Sequence, residues 1–181
     1  GDAHCVFEVD GLRLGLTICE DVRHAQPVAD CASAGADFIV NLNASPYDFY
    51  KAHEREEEVV SLRAKTSNVP IIYVNLVGGQ DELVFDGGSF VCAADGKVIA
   101  REKFFEESLS RIDLTSSGIE HAHPAAALLS REESVYQALC VGVRDYVHKN
   151  GFQGTVLGLS GGIDSALTLA IAADALGKEN V

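Results

Sequence analysis

One stretch near the end of the chain limits what this sequence can fold into more than any other. It combines glycines with hydroxyl and carboxylate residues: Gly158, Leu159, Ser160, Gly161, Gly162, Ile163, Asp164 and Ser165. The apolar residues 155–157 precede it and predict a buried parallel strand, while residues 166–176 predict a helix that ends at Gly177. A strand, a glycine turn and a helix in this order form an anion site. The glycines let the backbone approach a phosphate, and the free N–H groups of the first helical turn point at it.

Three side chains add to this predicted phosphate loop. The hydroxyls of Ser160 and Ser165 are hydrogen-bond donors for phosphate oxygens. Asp164 repels phosphate, so it fits either as the N-cap of the helix or as a partner for a metal ion or for a ligand N–H or hydroxyl. The loop is not of the Walker type, because no lysine follows the second glycine. The alternative is an ordinary strand–turn–helix corner in which the glycines only permit tight packing.

The spacing Ser-Gly-Gly-x-Asp-Ser resembles the pyrophosphate loop of the ATP pyrophosphatases. This resemblance implies an enzyme that adenylates a carboxylate or carbonyl group with ATP, releases pyrophosphate and lets an amine attack the adenylate. It also implies that residues 158–165 bind ATP, which arrives as a complex with Mg²⁺. The formal net charge of −13 repels polyphosphate, so the N–H groups of the loop and Mg²⁺ must overcome this electrostatic repulsion.

The composition excludes several classes of protein. With 181 residues, of which 47% are hydrophobic and 23% charged, the chain is globular and can form one large or two small cores. The acidic charge argues against nucleic acid as a partner, and no apolar run has the length of a membrane span. Five cysteines without a Cys-x-x-Cys pair argue against a disulfide framework, so we expect a cytoplasmic protein. The pair His121-x-His123 has no further ligands nearby, so we expect no protein-bound metal.

Strands that alternate with helices predict an α/β fold. Predicted strands cover residues 5–9, 12–18, 37–43, 70–76, 83–85, 89–94, 97–101 and 109–114. Asp10-Gly11 is a preferred two-residue turn, so the first two of these strands are predicted to form a hairpin. Predicted helices cover residues 22–33, 49–66 and 130–149. The acidic runs at 54–58 and 102–107 predict solvated surface.

Composition shifts divide the chain into two domains. Residues 1–114 form a layered sandwich, and residues 115–129, rich in Ser, Gly, His, Pro and Ala, read as a linker. Residues 130–181 begin a second domain, in which Ser130 caps a helix and Glu133 follows three residues later. The chain begins without an initiator, contains no methionine, and stops where a second parallel strand should follow. We therefore expect a fragment that is inactive by itself.

Cys19 is the candidate nucleophile of the first domain. It follows an apolar strand and precedes a predicted helix, whose N-terminus favours the thiolate. The alternative is a small, buried, apolar side chain. His24 is a poor partner base, because at an offset of five residues it need not face Cys19.

Several segments of the first domain resemble the nitrilase-type amidases, which have an α-β-β-α sandwich fold. The similar segments are Leu16-Thr17-Ile18-Cys19-Glu20-Asp21, Gly35-Ala36-Asp37, Asn43-Ala44-Ser45-Pro46, Asn75-Leu76-Val77-Gly78-Gly79, Asp86-Gly87-Gly88-Ser89 and Asp95-Gly96-Lys97. The resemblance implies that Cys19 attacks an amide, with a Glu as general base and a Lys that stabilises the oxyanion. Both belong to segments before the cysteine. Only 18 residues precede Cys19 here, and none is a lysine, so the triad is incomplete in this chain.

An amidase-like domain followed by a pyrophosphate loop resembles the glutamine-dependent NAD synthetases, and Tyr136 to Phe152 is similar to their domain junction. The resemblance implies a carbon–nitrogen ligase in which Cys19 releases ammonia from glutamine. ATP adenylates deamido-NAD in the second, Rossmann-like domain, and ammonia displaces AMP to give NAD. It further implies that Ser45 and Lys51 bind glutamine, and we expect a homo-oligomer. Ser45 could equally be a turn residue and Lys51 a solvated side chain.

Two other functions stay open at this point. GMP and asparagine synthetases use a similar loop on a different acceptor, although they pair it with other glutaminase folds. A nucleotide-binding regulatory module would bind ATP without turnover.

Overall fold

The computed structural model describes residues 5–181, apart from the side chain of His121. Its strands are β1 (Cys5–Val9), β2 (Leu12–Ile18), β3 (Phe38–Asn43), β4 (Ile71–Asn75), β5 (Val77–Gln80), β6 (Leu83–Asp86), β7 (Phe90–Cys92), β8 (Val98–Arg101), β9 (Asp113–Thr115) and β10 (Gly118–His121). Its α-helices are α1 (Ala25–Ser33), α2 (Lys51–His53), α3 (Ser61–Ser67), α4 (Arg131–Lys149) and α5 (Ile163–Leu176). A 3₁₀ helix spans Cys19–Arg23, another spans Lys178–Asn180, and a π-helical segment, Glu54–Val60, joins α2 to α3.

Six strands form one mixed sheet in the order β1-β2-β3-β4-β7-β8. The turn Asp10–Gly11 joins β1 and β2 into the predicted hairpin, and both residues have positive φ, 50° and 78°, as a two-residue hairpin turn requires. Strands β2, β3 and β4 run parallel, which places their carboxyl ends at one edge of the sheet. That edge is where α/β proteins present functional side chains.

One face of this sheet is covered by helices and forms the main core. The buried residues of this core include Val28 and Cys31 of α1, Ile39 and Ile71 of the parallel strands, and Ala64 of α3. A second, smaller core lies under α4. Its buried members are Phe104, Phe105, Ala138 and Val141, and Val84 and Tyr47 pack against them.

Helix α4 therefore packs on the first domain as well as on α5. Its side facing the β5–β6 hairpin packs closely on Gly79, because a Cβ added there would lie 3.2 Å from the Asp145 Cβ and 3.4 Å from the Gly142 Cα. Ser130 is the N-cap, and its hydroxyl accepts a hydrogen bond from the Glu133 N–H at 3.2 Å, which confirms the predicted helix start.

Two predicted strands differ from the structure. Residues 155–157 are not a strand. Val156 is 98% exposed, and the Thr155 N–H donates to the Asn180 carbonyl instead of to a neighbouring strand. The strand predicted at 109–114 is also wrong, since only Asp113–Thr115 is extended, in a short hairpin with β10 that the composition did not reveal. The apolar or polar character of a short segment does not determine whether it forms a strand, because a strand also needs a neighbouring strand to pair with.

The prediction of a solvated acidic run at 54–58 is wrong at Glu56. Its side chain is 6% exposed and binds the Arg101 guanidinium through both oxygens at 2.6 Å. The neighbouring Glu57 is 69% exposed, as predicted. In the second acidic run, Glu102 is half-buried and lies 2.5 Å from the His123 imidazole.

Within residues 5–181, no helix has both the length and the apolar character needed to cross a membrane. Among these same residues, no group of three or more His, Cys, Asp or Glu side chains is arranged to hold a metal ion.

Replacing Glu56 tests the buried ion pair. Glu56→Ala leaves the Arg101 guanidinium largely buried without its carboxylate, so we expect a loss of about 3–5 kcal/mol in the free energy of unfolding. The exposed Glu57→Ala is the matched control, with an expected change within about 0.5 kcal/mol. Urea denaturation followed by circular dichroism measures both. Equal midpoints for the two variants would contradict the assignment.

Candidate active site

Cys19 sits at a strained turn directly after β2. Its φ is 47°, in the left-handed region that residues other than glycine rarely adopt. The Asp21 carboxylate holds the turn, because its Oδ2 accepts a hydrogen bond from the Ile18 N–H at 2.9 Å. Strain of this kind at a strand-to-helix turn is typical of nucleophiles, since it lifts the side chain above the edge of the sheet.

The half-buried thiol of Cys19 lines a narrow cavity at the carboxyl ends of the parallel strands. The residues that line the cavity with it are Glu20, Val22, Arg23, Asn43, Ser45, Arg55, Val59 and Tyr73. The fold thus brings Cys19 and Ser45 to one site. His24 is exposed and does not line this cavity.

Lys51 is not one of the cavity-lining residues, although it is connected to the cavity by an ion-pair chain. Its Nζ lies 3.3 Å from Glu54, and the same carboxylate accepts a hydrogen bond from the Arg23 guanidinium at 2.6 Å. The hydrogen bond from Arg23 is the main reason that the pKa of Glu54 is lowered. Glu54 is therefore an anion between two cations at the edge of the cavity.

A buried hydrogen-bond network holds the loop that carries Ser45. The Arg55 guanidinium donates to both oxygens of Asp86 at 2.8 Å, to the Ser45 hydroxyl at 3.1 Å and to the Ser45 carbonyl at 2.9 Å. The Ser45 N–H donates to the Asn75 side-chain oxygen at 2.9 Å. Burial raises the pKa of Asp86, and the adjacent Arg55 opposes that shift.

Sequence reasoning missed several members of this site. Asn75 and Asp86 belonged to segments quoted for the amidase resemblance, but they received no role. Arg55 had one weak signal, as a single cation inside an acidic run. Tyr73 had no sequence signal, because its position beside the cavity depends on strand register. Burial raises the pKa of its phenol.

The predicted phosphate loop is a separate, exposed turn at the start of α5. Gly161 has a φ of 86°, and a Cβ added at Gly158 or Gly161 would meet nothing within 4 Å. The hydroxyls of Ser160 and Ser165 lie 3.0 Å apart, next to the first turn of the helix. The N-cap is Gly162, so the interpretation of Asp164 as the N-cap is wrong. Asp164 is the second residue of the helix, because the extended backbone ends at Gly162.

Family comparisons give the context of both sites. The family model for carbon-nitrogen hydrolases matches residues 1–123. The chain belongs to the carbon-nitrogen hydrolase family. The family model for NAD synthase matches residues 135–181, so this carbon-nitrogen hydrolase segment is joined to a segment similar to NAD synthase.

Relatives that match both parts are glutamine-dependent NAD⁺ synthetases. One from Synechocystis is 45% identical over 97% of this chain, and one from Acinetobacter baylyi is 44% identical over the whole chain. This confirms the resemblance predicted from the sequence. The chain spans about a third of the length of these curated relatives, 34% in both cases.

Solved structures agree with the fold. The glutamine-dependent NAD⁺ synthetase of Acinetobacter baumannii, in complex with ADP, has a TM-score of 0.90 at 42% identity, covering all of this chain and 34% of that one. A mutant amidase of the nitrilase superfamily from Nesterenkonia has a TM-score of 0.52 at 25% identity over 57% of this chain and 38% of that one. The predicted fold class, a nitrilase-type segment followed by the start of an NAD-synthetase-type domain, is confirmed.

Thiol reactivity tests the placement of the cysteines in this carbon-nitrogen hydrolase. Burial raises the pKa of Cys31 and Cys140 and raises the pKa of Cys92 to about 12, which suppresses the reactive thiolate. We expect iodoacetamide at pH 8 to label Cys5 and the half-buried Cys19 well before these three. Peptide mass spectrometry over a time course measures the rates. Labelling of Cys92 as fast as Cys19 would contradict the structure.

Proposed function

We propose that this chain carries the glutaminase nucleophile and the ATP-binding loop of a glutamine-hydrolysing NAD synthetase. The observation that supports this most is the presence, in one chain, of a strained cysteine beside Ser45 and an exposed glycine turn at a helix start. The two features lie in the segments that match the carbon-nitrogen hydrolase and NAD synthase family models. A relative of similar structure was solved with ADP, which favours an adenine nucleotide as ligand.

At the first site, Cys19 is the proposed nucleophile. Its sulfur attacks the side-chain amide carbon of glutamine, the C–N bond breaks and ammonia leaves, so that a thioester remains. Water hydrolyses the thioester, which yields glutamate and restores the thiol. Ser45 and Lys51 are the proposed glutamine ligands, held by Arg55 and Glu54 respectively. The family resemblance assigns the general base and the oxyanion donor to a Glu and a Lys that precede Cys19.

At the second site, residues 158–165 are proposed to bind the polyphosphate of ATP. Gly158 and Gly161 leave open space for phosphate oxygens, and the hydroxyls of the exposed Ser160 and the half-buried Ser165 lie 3.0 Å apart beside it. ATP would enter with Mg²⁺, for which the exposed carboxylate of Asp164 is the available oxygen ligand in this loop. The carboxylate of deamido-NAD attacks the α-phosphate and pyrophosphate leaves. Ammonia then displaces AMP to give the amide of NAD.

Pyrophosphate exchange tests the proposal directly. We expect the full-length natural protein to exchange labelled pyrophosphate into ATP only when deamido-NAD is present. Exchange with another acceptor would identify a different amidotransferase, and ATP binding without exchange would identify a regulatory module. Either result would refute the proposed reaction. A homo-oligomeric state and a cytoplasmic location stay predictions.

Substituting the nucleophile separates the two sites. We expect Cys19→Ala in the full-length protein to abolish glutamine-driven NAD synthesis and to leave ammonia-driven synthesis intact. The exposed Cys5→Ala is the matched control and keeps both activities. Equal loss of both activities in a folded Cys19→Ala variant would contradict the nucleophile assignment.

Substitutions in the glycine turn are expected to slow NAD synthesis from both nitrogen sources. Ser160→Ala and Asp164→Ala remove groups proposed to hold ATP and Mg²⁺, so we expect synthesis from glutamine and from ammonia to fall about ten- to a hundredfold. The control is Thr168→Ala on the same helix, because the Thr168 hydroxyl already binds its own helix backbone at the Asp164 carbonyl. Wild-type rates in both loop variants would exclude this turn as the ATP site.

A further inference from the structure

The loop between β3 and α2 contacts two different parts of the protein. On its inner side, Ser45 lines the Cys19 cavity. On its outer side, Tyr47 and Phe49 contact the first turn of α4. The Tyr47 hydroxyl lies 2.9 Å from the Ser134 hydroxyl, and the Arg131 guanidinium lies 4.4 Å from the centre of the Phe49 ring.

The direction of the hydrogen bond between Tyr47 and Ser134 follows from the surroundings. The Ser134 hydroxyl donates its one hydrogen to the Arg131 carbonyl of its own helix at 2.9 Å. The Tyr47 hydroxyl is therefore the donor, and Ser134 accepts. Removing either hydroxyl removes the same bond.

Hydrogen bonds hold the backbone of this loop in place from Ser45 to Tyr47. The Tyr47 N–H donates to the Val84 carbonyl at 2.7 Å, and the Arg55 guanidinium donates to the carbonyls of Ser45 and Pro46 at 2.9 and 3.0 Å. Ser45 is only two residues from Tyr47, within this same set of bonds. A change in the position of Tyr47 is therefore transmitted to Ser45.

Helix α4 is a fixed support for this contact. At its other end, the Asp145 carboxylate accepts a hydrogen bond from the Gly79 N–H at 2.7 Å, and the Lys149 ammonium donates to the Gly79 carbonyl at 2.5 Å. Bonds at both ends of the helix fix it against the first domain.

We propose that Tyr47 and Ser134 are positioning residues for glutamine binding, and that the first turn of α4 completes the glutaminase site from outside. Neither side chain lines the Cys19 cavity, so both act through Ser45. This inference rests on the proposed glutaminase function of Cys19. On this proposal, the affinity for glutamine depends on α4, a helix that lies largely within the segment similar to NAD synthase.

Steady-state kinetics on the full-length natural protein tests the proposal. We expect Tyr47→Phe and Ser134→Ala each to raise the KM for glutamine about three- to tenfold, the effect of one lost hydrogen bond, while kcat changes less than about twofold. The double variant should match the single ones, because all three lack the same bond. Ser134→Thr, which keeps the hydroxyl, should restore the KM. Ammonia-driven synthesis should be unchanged in every variant.

The matched control is Tyr146→Phe, which removes the hydroxyl of an exposed tyrosine on the same helix and should leave the KM unchanged. An unchanged KM in Tyr47→Phe would overturn the proposal. So would effects that multiply in the double variant, or an equal fall in ammonia-driven synthesis.

Hydrogen exchange separates this proposal from the proposed function. In the same variants we expect faster exchange of the backbone amides of residues 44–50, and no change in Tyr146→Phe. This readout needs no glutamine. A wild-type protein that hydrolyses no glutamine would refute the proposed function alone, whereas unchanged exchange in Tyr47→Phe would refute the positioning role.

Discussion

The buried ion pair between Arg55 and Asp86 is the interaction on which the candidate glutaminase site depends. The two side chains are 4% and 2% exposed and meet through two hydrogen bonds of 2.8 Å. The remaining guanidinium donors bind the Ser45 hydroxyl and the carbonyls of Ser45 and Pro46. One cation thus joins the π-helical segment, the end of β6 and the loop beside Cys19. Its fork geometry matters, because a lysine at this position has no planar set of donors to reach all three partners. Removing either member would leave an uncompensated buried charge, at a cost of about 3–5 kcal/mol.

The π-helical segment explains how two consecutive charged residues can both be buried. Arg55 pairs with Asp86, while the adjacent Glu56 pairs with Arg101. A π turn widens the helix and changes the angle between successive side chains, and such turns often occur at functional sites. The exposed Glu57 follows at once. Within this acidic run, the Arg55–Asp86 pair therefore positions the loop that carries Ser45, and the Glu56–Arg101 pair fixes the helix to β8.

Local signals predicted the parts of this fold that local chemistry determines. The Asp10–Gly11 turn, the capped start of α4 at Ser130 and the glycine turn before α5 each depend on neighbouring residues, and each can be read from the sequence. The burial of Glu56 could not be predicted, because its partner Arg101 is 45 positions away. The Arg55–Asp86 pair was hidden for the same reason, being 31 positions apart. At the glycine turn, the sequence predicted the helix but began it at residue 166, whereas it begins at Ile163. Gly162 and Asp164 are both acceptable cap residues, and backbone geometry decides between them.

Helix α4 contacts the structural elements that carry both candidate sites. Near its N-terminus it contacts the Ser45 loop, and near its C-terminus it binds the Gly79 backbone. Another side of the helix packs on α5, where the Tyr136 hydroxyl donates to Asp174 at 2.7 Å. This hydrogen bond to a carboxylate raises the pKa of Tyr136 to about 12. Because α5 begins at the glycine turn, α4 contacts both the loop beside Cys19 and the helix that carries the proposed phosphate loop. The hydrogen bonds near its two ends and on α5 fix the position of α4 against both segments of the chain.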